Sequence, residues 1–212
     1  MDIDKIIKIL QYEFDEHKEL HSEFVDFMEN AKNPYIVLTC CILSLRTNDK
    51  TTIKSAKRML SRAKTPAEMI KLTQGELAEL IYPVGFYHNK ADQIIELSKL
   101  LVEKYNSKVP DTIESLCEFK GVGRKTANLV LAKGYSIPAI CVDVHVHRIS
   151  NRLGIVKTKT PEETEFALRK TLPKKYWLDI NTILVTHGQN ICKPINPKCE
   201  ICPISEYCSN KK

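Results

Sequence analysis

The sequence predicts an all-α protein of 212 residues. Two observations point to this fold class. Apolar residues recur at helical spacing, beginning with the face formed by Ile3, Ile6, Ile7, Leu10 and Phe14. Helix-starting patterns follow along the chain, whereas no run of strict polar–apolar alternation ends in a turn dipeptide, as a hairpin would. Apolar content of 43% and charged content of 27% are ordinary for a globular chain, which excludes a mainly disordered one.

Capping patterns predict where several helices begin. Asn33-Pro34 places a cap before a proline, the order that favours a helix start. Three segments that begin with Thr and end with Glu match capping boxes: 65–68, 73–76 and 160–163. Further helical patterns cover about 89–104, 112–118, 124–133, 144–153, 161–171 and 177–190.

Charge and the N-terminal sequence suggest an intracellular protein. The chain has 32 Lys+Arg against 26 Asp+Glu, and the resulting charge of +6 favours a polyanionic partner without selecting one. The longest apolar stretch, 35–45, is interrupted by polar residues and is too short for a membrane span. The N-terminus alternates charged residues with isoleucine, unlike a signal peptide.

Residues 112–131 place two short apolar helical faces on either side of a glycine turn. Gly121-Val122-Gly123 forms that turn, because glycine permits left-handed backbone and close approach. The helix that follows begins with exposed amides and a positive dipole end, which suit phosphate, and Arg124 and Lys125 add positive charge there. One interpretation is a plain helix-joining turn with solvated basic residues. The apolar faces on both sides favour the other, a helix-hairpin-helix that holds DNA backbone without reading bases.

Lys125 has two possible roles. The positive dipole end and neighbouring Arg124 both disfavour its ammonium form, and a neutral amine is a nucleophile towards a sugar C1′ or an aldehyde. The alternative role is a contact between the charged Lys125 side chain and phosphate, and the local sequence alone favours this second role.

Asp143 lies where a helix N-cap is expected, before a helix that stops at Gly154. The alternative to a purely structural cap is a carboxylate that stabilises positive charge on a sugar or assists proton transfer. One capping aspartate serves both purposes if its second oxygen faces a cleft. His145 is a candidate phosphate contact, with a hydrogen-bonded helix residue as the alternative.

The eight cysteines fall into two groups. Four lie scattered in apolar stretches, where we expect small core residues: Cys40, Cys41, Cys117 and Cys141. The other four are clustered, with six, two and five residues between them: Cys192, Cys199, Cys202 and Cys208. Without a secretion signal, such a tetrad predicts metal or iron–sulfur ligands before disulfides. Four thiolates suit either zinc or a [4Fe–4S] cluster, and the spacing by itself leaves both open.

The conjunction of GVGRKTAN, then Asp143 in VDVH, then the cysteine spacing resembles the endonuclease III family of helix-hairpin-helix DNA glycosylases. The resemblance runs from Leu43-Ser44 to Cys208. It implies a bifunctional DNA glycosylase and AP lyase that removes damaged pyrimidines and cleaves the abasic site by β-elimination. In that family pattern Lys125 is the Schiff-base lysine, Asp143 is the catalytic aspartate, and the clustered cysteines bind a [4Fe–4S] cluster.

The resemblance also implies an architecture and a partner. We expect two helical lobes that grip DNA at the cleft between them. One lobe is 22–138 with the helix-hairpin-helix at about 112–131, and the other is 1–21 plus 139–212 with the cluster loop 192–208. The expected partner is double-stranded DNA with a damaged base or an abasic site. The protein is expected to act as a monomer, with no membrane partner, in the cytoplasm at the nucleoid.

The chain departs from the family pattern at positions that matter for DNA. Phe119-Lys120 replaces the usual Leu-Pro before the hairpin, Arg46 stands where Gln is common, and Phe86 stands where Leu is common. Because the last two positions lie on loops that enter the duplex, we expect Phe86 to act as a wedge and Arg46 to face the unpaired base. The alternatives are a core phenylalanine and a phosphate-binding arginine.

Two rival functions remain at this stage. One is a mismatch-specific glycosylase that removes thymine or uracil opposite guanine, and the other is a non-catalytic DNA-binding iron–sulfur protein. The lysine of the hairpin argues against the first, since monofunctional relatives commonly lack it.

Overall fold

The structure is a computed structural model that describes residues 2–21 and 23–210. Within those residues it contains α-helices and short helical turns and no β-strand, which confirms the predicted all-α class. The helices are α1 (Ile3–Glu16), α2 (Glu23–Ala31), α3 (Pro34–Ser44), α4 (Asp49–Arg62), α5 (Pro66–Met69), α6 (Gln74–Ile81), α7 (Tyr87–Tyr105), α8 (Ile113–Cys117), α9 (Arg124–Leu129), α10 (Val144–Leu153), α11 (Pro161–Thr171) and α12 (Ile180–Asn190). In the described part of the chain, no helix is both long and apolar enough to cross a bilayer.

Short helical turns complete the list of elements. The turns with 3-10 geometry are Lys18–Leu20, Lys174–Tyr176, Cys199–Ile201 and Ser205–Tyr207. A π-helical turn, Val130–Gly134, directly follows α9.

The chain forms two compact units, Glu23–Ser136 and Met1–Ser22 with Ile137–Lys212. In the second of these, the two ends of the chain share one hydrophobic core. Ile6 and Leu10 of α1 are buried there with Val146 of α10 and Leu184 of α12. The N-terminal helix therefore stabilises the helices that support the clustered cysteines.

The unit Glu23–Ser136 is built around α3. The side chains of α3 are buried on almost every side of the helix, because α4, α7 and the π-helical turn all pack against it. Buried residues of α3 include Val37, Leu38, Cys40 and Leu43. A helix buried all round is apolar all round, which explains the run of apolar residues in the sequence. The end of α3 fixes the position of the loop that follows it.

The predicted caps form at most of the expected helix starts. The Asn33 side chain accepts hydrogen bonds from the amides of Tyr35 and Ile36 at 3.0 and 3.1 Å. The segments 65–68 and 73–76 form complete capping boxes. The box predicted at 160–163 is wrong in its second half, because the Glu163 carboxylate accepts from the amide of Lys159 at 2.8 Å instead of returning to the cap.

Three other local predictions need correction. The helix predicted over 177–190 begins at Ile180, because Trp177 belongs to a preceding turn and its indole donates to the Leu172 carbonyl. The helix predicted over 124–133 widens into the π-helical turn, where the backbone of Gly134 approaches Pro34 so closely that a Cβ would lie 2.7 Å from the proline Cα. Cys117 is exposed rather than part of the core, since its neighbour Leu116 faces inward from α8.

Candidate active site and cysteine pocket

The glycine turn between α8 and α9 uses its two glycines differently. Gly121 adopts a left-handed conformation, with φ of +77°, and a Cβ there would lie 2.4 Å from the Gln93 amide nitrogen. That amide donates a 2.6 Å hydrogen bond to the Lys120 carbonyl and so ties the turn to α7. Gly123 is extended and forms the N-cap of α9. Apart from Gly123 and its two chain neighbours, no heavy atom of the described residues lies within 4 Å of the position that a Gly123 Cβ would occupy, so its surface is open.

Val122 anchors the turn from within. Its side chain is buried between the two glycines, while Gly121, Gly123 and Lys125 are exposed and Arg124 is half-buried. The hairpin thus presents backbone and basic side chains outward from an apolar anchor.

Lys125 occupies the second position of α9 and is exposed. Its charge also reaches the neighbouring α3. Burial raises the pKa of the Cys41 thiol to about 12, and the Lys125 ammonium partly opposes that rise. The exposed side chain thus belongs to the first turn of a helix, near enough to α3 for its charge to act on a buried thiol there.

Asp143 forms the N-cap of α10, as predicted. Its Oδ1 accepts hydrogen bonds from the amides of His145 and Val146, both at 2.9 Å. Both cap bonds use the same oxygen, so Oδ2 takes no part in the cap. The residue is half-buried, and the two cap bonds hold the carboxylate in one orientation. Lys125 belongs to the unit Glu23–Ser136 and Asp143 to the other unit.

His145 packs against α12. Its Nδ1 lies 3.1 Å from Arg148 Nη2, and the contact requires Gly188, where a Cβ would lie 2.5 Å from that ring nitrogen. Its proposed contact with DNA phosphate stays a prediction, and the ring is half-buried in a hydrogen-bonded position.

The four clustered cysteines line one pocket. Each thiol is half-buried, and the pocket wall also includes Arg152 and His187. Burial is the main cause that raises the pKa of the Cys202 thiol, and the other three cysteines add to the rise because they lie nearby. Within the described residues, no three His, Cys, Asp or Glu side chains converge closely enough to hold a single metal ion.

Two arginines of α10 attach this cysteine segment, and our sequence reasoning missed both. Arg152 donates to Cys192 Sγ at 3.4 Å and to the Lys193 and Pro194 carbonyls at 2.7 and 2.9 Å. Arg148 donates to the Cys192 carbonyl at 2.9 Å. The spacing of these two arginines was a usable signal in the sequence, because residues four apart on a helix share one face. Four thiols around a pocket, with a cation against one sulfur, fit a thiolate-bound iron–sulfur cluster.

Arg46 and Phe86 lie side by side although 40 residues separate them in sequence. The Arg46 guanidinium carbon lies 5.7 Å from the centre of the Phe86 ring. Both residues have left-handed backbone, with φ of +53° and +58°, which is uncommon for residues other than glycine. Phe86 is 60% exposed, so the predicted alternative of a core phenylalanine is wrong. Exposed residues with a strained backbone of this kind cluster at functional sites.

Comparison with known proteins agrees with this geometry. Residues 39–174 match the HhH-GPD superfamily of base excision DNA repair proteins, and residues 192–208 match the iron–sulfur binding domain of endonuclease III. Endonuclease III of Thermotoga maritima is 50% identical over 194 residues, which cover 90% of this chain and 91% of that protein.

Solved structures give the same assignment. A trapped covalent intermediate of endonuclease III with DNA superposes with a TM-score of 0.83 at 32% identity, covering 100% of this chain and 97% of that one. A thermostable thymine-DNA glycosylase superposes with a TM-score of 0.86, covering 98% of this chain and 95% of that one, but its identity of 23% shows a shared fold only. The chain belongs to the endonuclease III family of the HhH-GPD superfamily of base excision DNA repair proteins.

Proposed function

We propose that Lys125 and Asp143 perform the chemistry of a bifunctional DNA glycosylase and AP lyase on double-stranded DNA. The activity is that of the endonuclease III family, to which the chain belongs. The observation that carries the proposal for this chain is the exposed Lys125 amine in the first turn of α9, directly after the glycine turn.

In the proposed reaction, Lys125 Nζ attacks C1′ of the damaged nucleotide. A bond forms between the amine and C1′ as the bond from C1′ to the base breaks, and the base leaves with the electron pair of that bond. Loss of a proton from nitrogen and opening of the sugar ring give a Schiff base. Removal of a C2′ proton then expels the 3′ phosphate, and water releases the lysine from the remaining sugar.

Asp143 supports the positive charge that develops on the sugar as the base departs. The cap bonds hold Oδ1, so the carboxylate cannot rotate freely, and Oδ2 is the oxygen proposed to face the sugar. A fixed negative charge helps because it needs no reorganisation during the reaction.

The hairpin is proposed to hold the DNA backbone. Gly121 shapes the turn, Val122 anchors it, and Gly123 offers a surface without a side chain to the incoming phosphate. Arg124 adds charge, and His145 is proposed as a further phosphate contact. Such contacts position DNA without reading its sequence.

The family's iron–sulfur domain covers residues 192–208, and Cys192, Cys199, Cys202 and Cys208 would hold its [4Fe–4S] cluster. When bound, the cluster supplies metal–thiolate bonds that tie the loop together. The exposed Lys193 and Lys198 of this loop are proposed to meet phosphate. A protein with this substrate is proposed to work at the nucleoid, in the cytoplasm.

The test is borohydride trapping on duplex DNA that carries a thymine glycol or an abasic site. The wild-type protein should give a covalent adduct and a cleaved strand, and Lys125→Ala should give neither while it still binds the duplex. Lys120→Ala is the matched control, because Lys120 is an exposed lysine of the same turn. Trapping that survives in Lys125→Ala and disappears in Lys120→Ala would move the nucleophile. A protein that removes thymine opposite guanine without an adduct would instead be the rival mismatch glycosylase.

A further inference from the structure

Lys90 is a buried lysine whose amine donates hydrogen bonds to a neighbouring loop. It lies in the first turn of α7 and its residue is 5% exposed. Its Nζ donates to the Leu43 carbonyl at 2.8 Å, to the Leu45 carbonyl, and to Thr47 Oγ1 at 3.2 Å. These three oxygens belong to the end of α3 and the loop after it.

The surroundings of this amine are built for its charged form. A lysine ammonium has three N–H donors, and here three oxygens accept from them. Burial lowers the pKa of Lys90 to about 8, which reflects the cost of keeping a charge away from water. The three hydrogen bonds offset part of this desolvation cost, and they hold the loop after α3, in which Arg46 has a left-handed backbone.

The contacts continue from Lys90 to a second loop. Thr47 Oγ1, one of the three acceptors, also accepts from the Gly85 amide at 3.1 Å. The Arg46 carbonyl approaches Gly85 so closely that a Cβ there would lie 2.7 Å from it. The Lys90 amide itself donates to the Phe86 carbonyl at 3.0 Å. One residue thus contacts both loops, through its side chain on one and its backbone on the other.

We propose that Lys90 is a positioning residue that clamps the Arg46 loop to the Phe86 loop, so that both side chains enter the duplex as one preformed unit. The proposal rests on the proposed function and on the expectation from the sequence that Phe86 acts as a wedge while Arg46 faces the unpaired base. Left-handed backbone at non-glycine residues such as Arg46 and Phe86 persists only if the surrounding contacts impose it. Lys90 contributes such contacts, because its Nζ binds Leu45 and Thr47 on either side of Arg46 and its amide binds the Phe86 carbonyl. The clamp acts on extrusion of the nucleotide and not on the later chemistry at C1′.

The test compares Lys90→Met with Lys133→Met. Lys133 is a second buried lysine of the same unit, 9% exposed, which pairs with Glu29 and is not placed at DNA. Each variant is assayed for excision of thymine glycol from duplex and for cleavage of an abasic site in single-stranded DNA. We expect Lys90→Met to lower duplex excision by about 10- to 100-fold, as misplaced groups do, and to change single-strand cleavage less than about twofold. Lys133→Met should leave the ratio of the two activities at the wild-type value.

A spectroscopic measurement reports the wedge directly. A duplex with 2-aminopurine opposite a tetrahydrofuran abasic analogue becomes more fluorescent when the partner base is unstacked. At saturating protein, Lys90→Met should lose most of the wild-type increase and Lys133→Met should retain it. The loss in the double variant Lys90→Met with Phe86→Ala should be smaller than the sum of the two single losses, because residues that act through one another are not additive.

The outcomes separate this proposal from the proposed function. If the wild type gives neither cleavage nor a borohydride adduct, the function fails. If the wild type is active and Lys90→Met lowers duplex and single-strand cleavage equally, or keeps the fluorescence increase, the clamp is wrong. If Lys90→Met does not fold, Thr47→Val removes the shared oxygen alone and should show the same selective loss to a smaller extent. A wild-type ratio of duplex to single-strand activity in Thr47→Val would also overturn the clamp.

Discussion

The two helices that carry the proposed catalytic groups begin in opposite ways. At α10, the Asp143 carboxylate accepts from two first-turn amides and closes the helix start. At α9, the N-cap is Gly123, which has no side chain with which to accept. A helix start leaves amides without an intrahelical partner, and a side chain of the chain caps them at α10 but no side chain caps them at α9.

Because of this difference, substitutions at the start of α9 and substitutions at Asp143 should act differently: the first should affect mainly function, and the second both stability and function. Lys125 and Gly123 are exposed and contribute little to packing, so changes there should alter the reaction or DNA binding while the fold is retained. Asp143 serves the fold and the proposed chemistry with different oxygens of one carboxylate. Loss of activity at Asp143 is therefore informative only if the cap is preserved.

The largest expected effect concerns the support of α10, which Arg148 and Arg152 attach to the cysteine segment. Cys202→Ser removes a proposed cluster ligand and should lower the iron content, the yellow-brown absorbance and the free energy of unfolding, the last by more than about 4 kcal/mol. Cys117→Ser is the control, because Cys117 is exposed on α8. Iron analysis and thermal melting measure the difference. Unchanged iron in Cys202→Ser would remove that residue from the ligand set.

The next effect separates the two oxygens of Asp143. Asp143→Asn keeps an oxygen for the cap and loses the charge, so base excision should fall by about 10²- to 10³-fold with a nearly unchanged melting temperature. Cleavage of a preformed abasic site should fall less, since the sugar cation develops chiefly as the base leaves. Asp143→Ala should in addition lose about 0.5–2 kcal/mol of stability with the cap.

Excision and abasic-site cleavage by both variants, with melting curves, provide the measurement. A similar fall in both activities together with a lower melting temperature in Asp143→Asn would show that the residue is structural only.

Local sequence patterns explain most of the fold. Caps such as Asn33 and the boxes at 65–68 and 73–76 depend on residues within one turn, and their prediction is confirmed. The wrong predictions arise where packing against residues far away in the sequence decides the local structure, because a local pattern does not contain those residues. Gly134 widens the end of α9 because Pro34 lies against it, and Cys117 faces outward because its neighbours take the inner face.

The candidate site divides in the same way. The N-cap at Asp143 and the left-handed turn at Gly121 follow from nearby residues, and the structure has both. The contact between Arg46 and Phe86 joins loops about 40 residues apart in the sequence. The hydrogen bonds of Lys90 to the loop after α3 span a similar separation. The roles of these residues at DNA remain predictions for the experiments above.

The third effect tests whether the two glycines of the hairpin differ as their geometry indicates. Gly121→Ala forces an L side chain into left-handed backbone and against the Gln93 amide, and should cost about 1–2 kcal/mol of stability. Gly123→Ala is compatible with its extended backbone and loses only the preference of an N-cap for glycine over alanine, so it should cost less than Gly121→Ala, about 0.5 kcal/mol. Urea unfolding of the two variants measures the contrast. Equal destabilisation would show that the open surface at Gly123 is filled in solution.

The smallest effect has the opposite sign and adds the missing cap to α9. The backbone of Gly123, with φ of −101° and ψ of 177°, is that of an N-cap, so the hydroxyl of Gly123→Ser can accept from the first-turn amides. Stability should rise by a few tenths of a kcal/mol, roughly the difference between a glycine cap and a serine cap. Affinity for abasic duplex should fall, because the amides proposed to meet phosphate are then occupied and a side chain stands on the open surface. Thr73→Gly at the start of α6 is the mirror control, which should lose a few tenths of a kcal/mol and leave DNA affinity unchanged. If Gly123→Ser gains stability and binds DNA as tightly as the wild type, the start of α9 is not a phosphate contact, and its lack of a side-chain cap has no function in DNA binding.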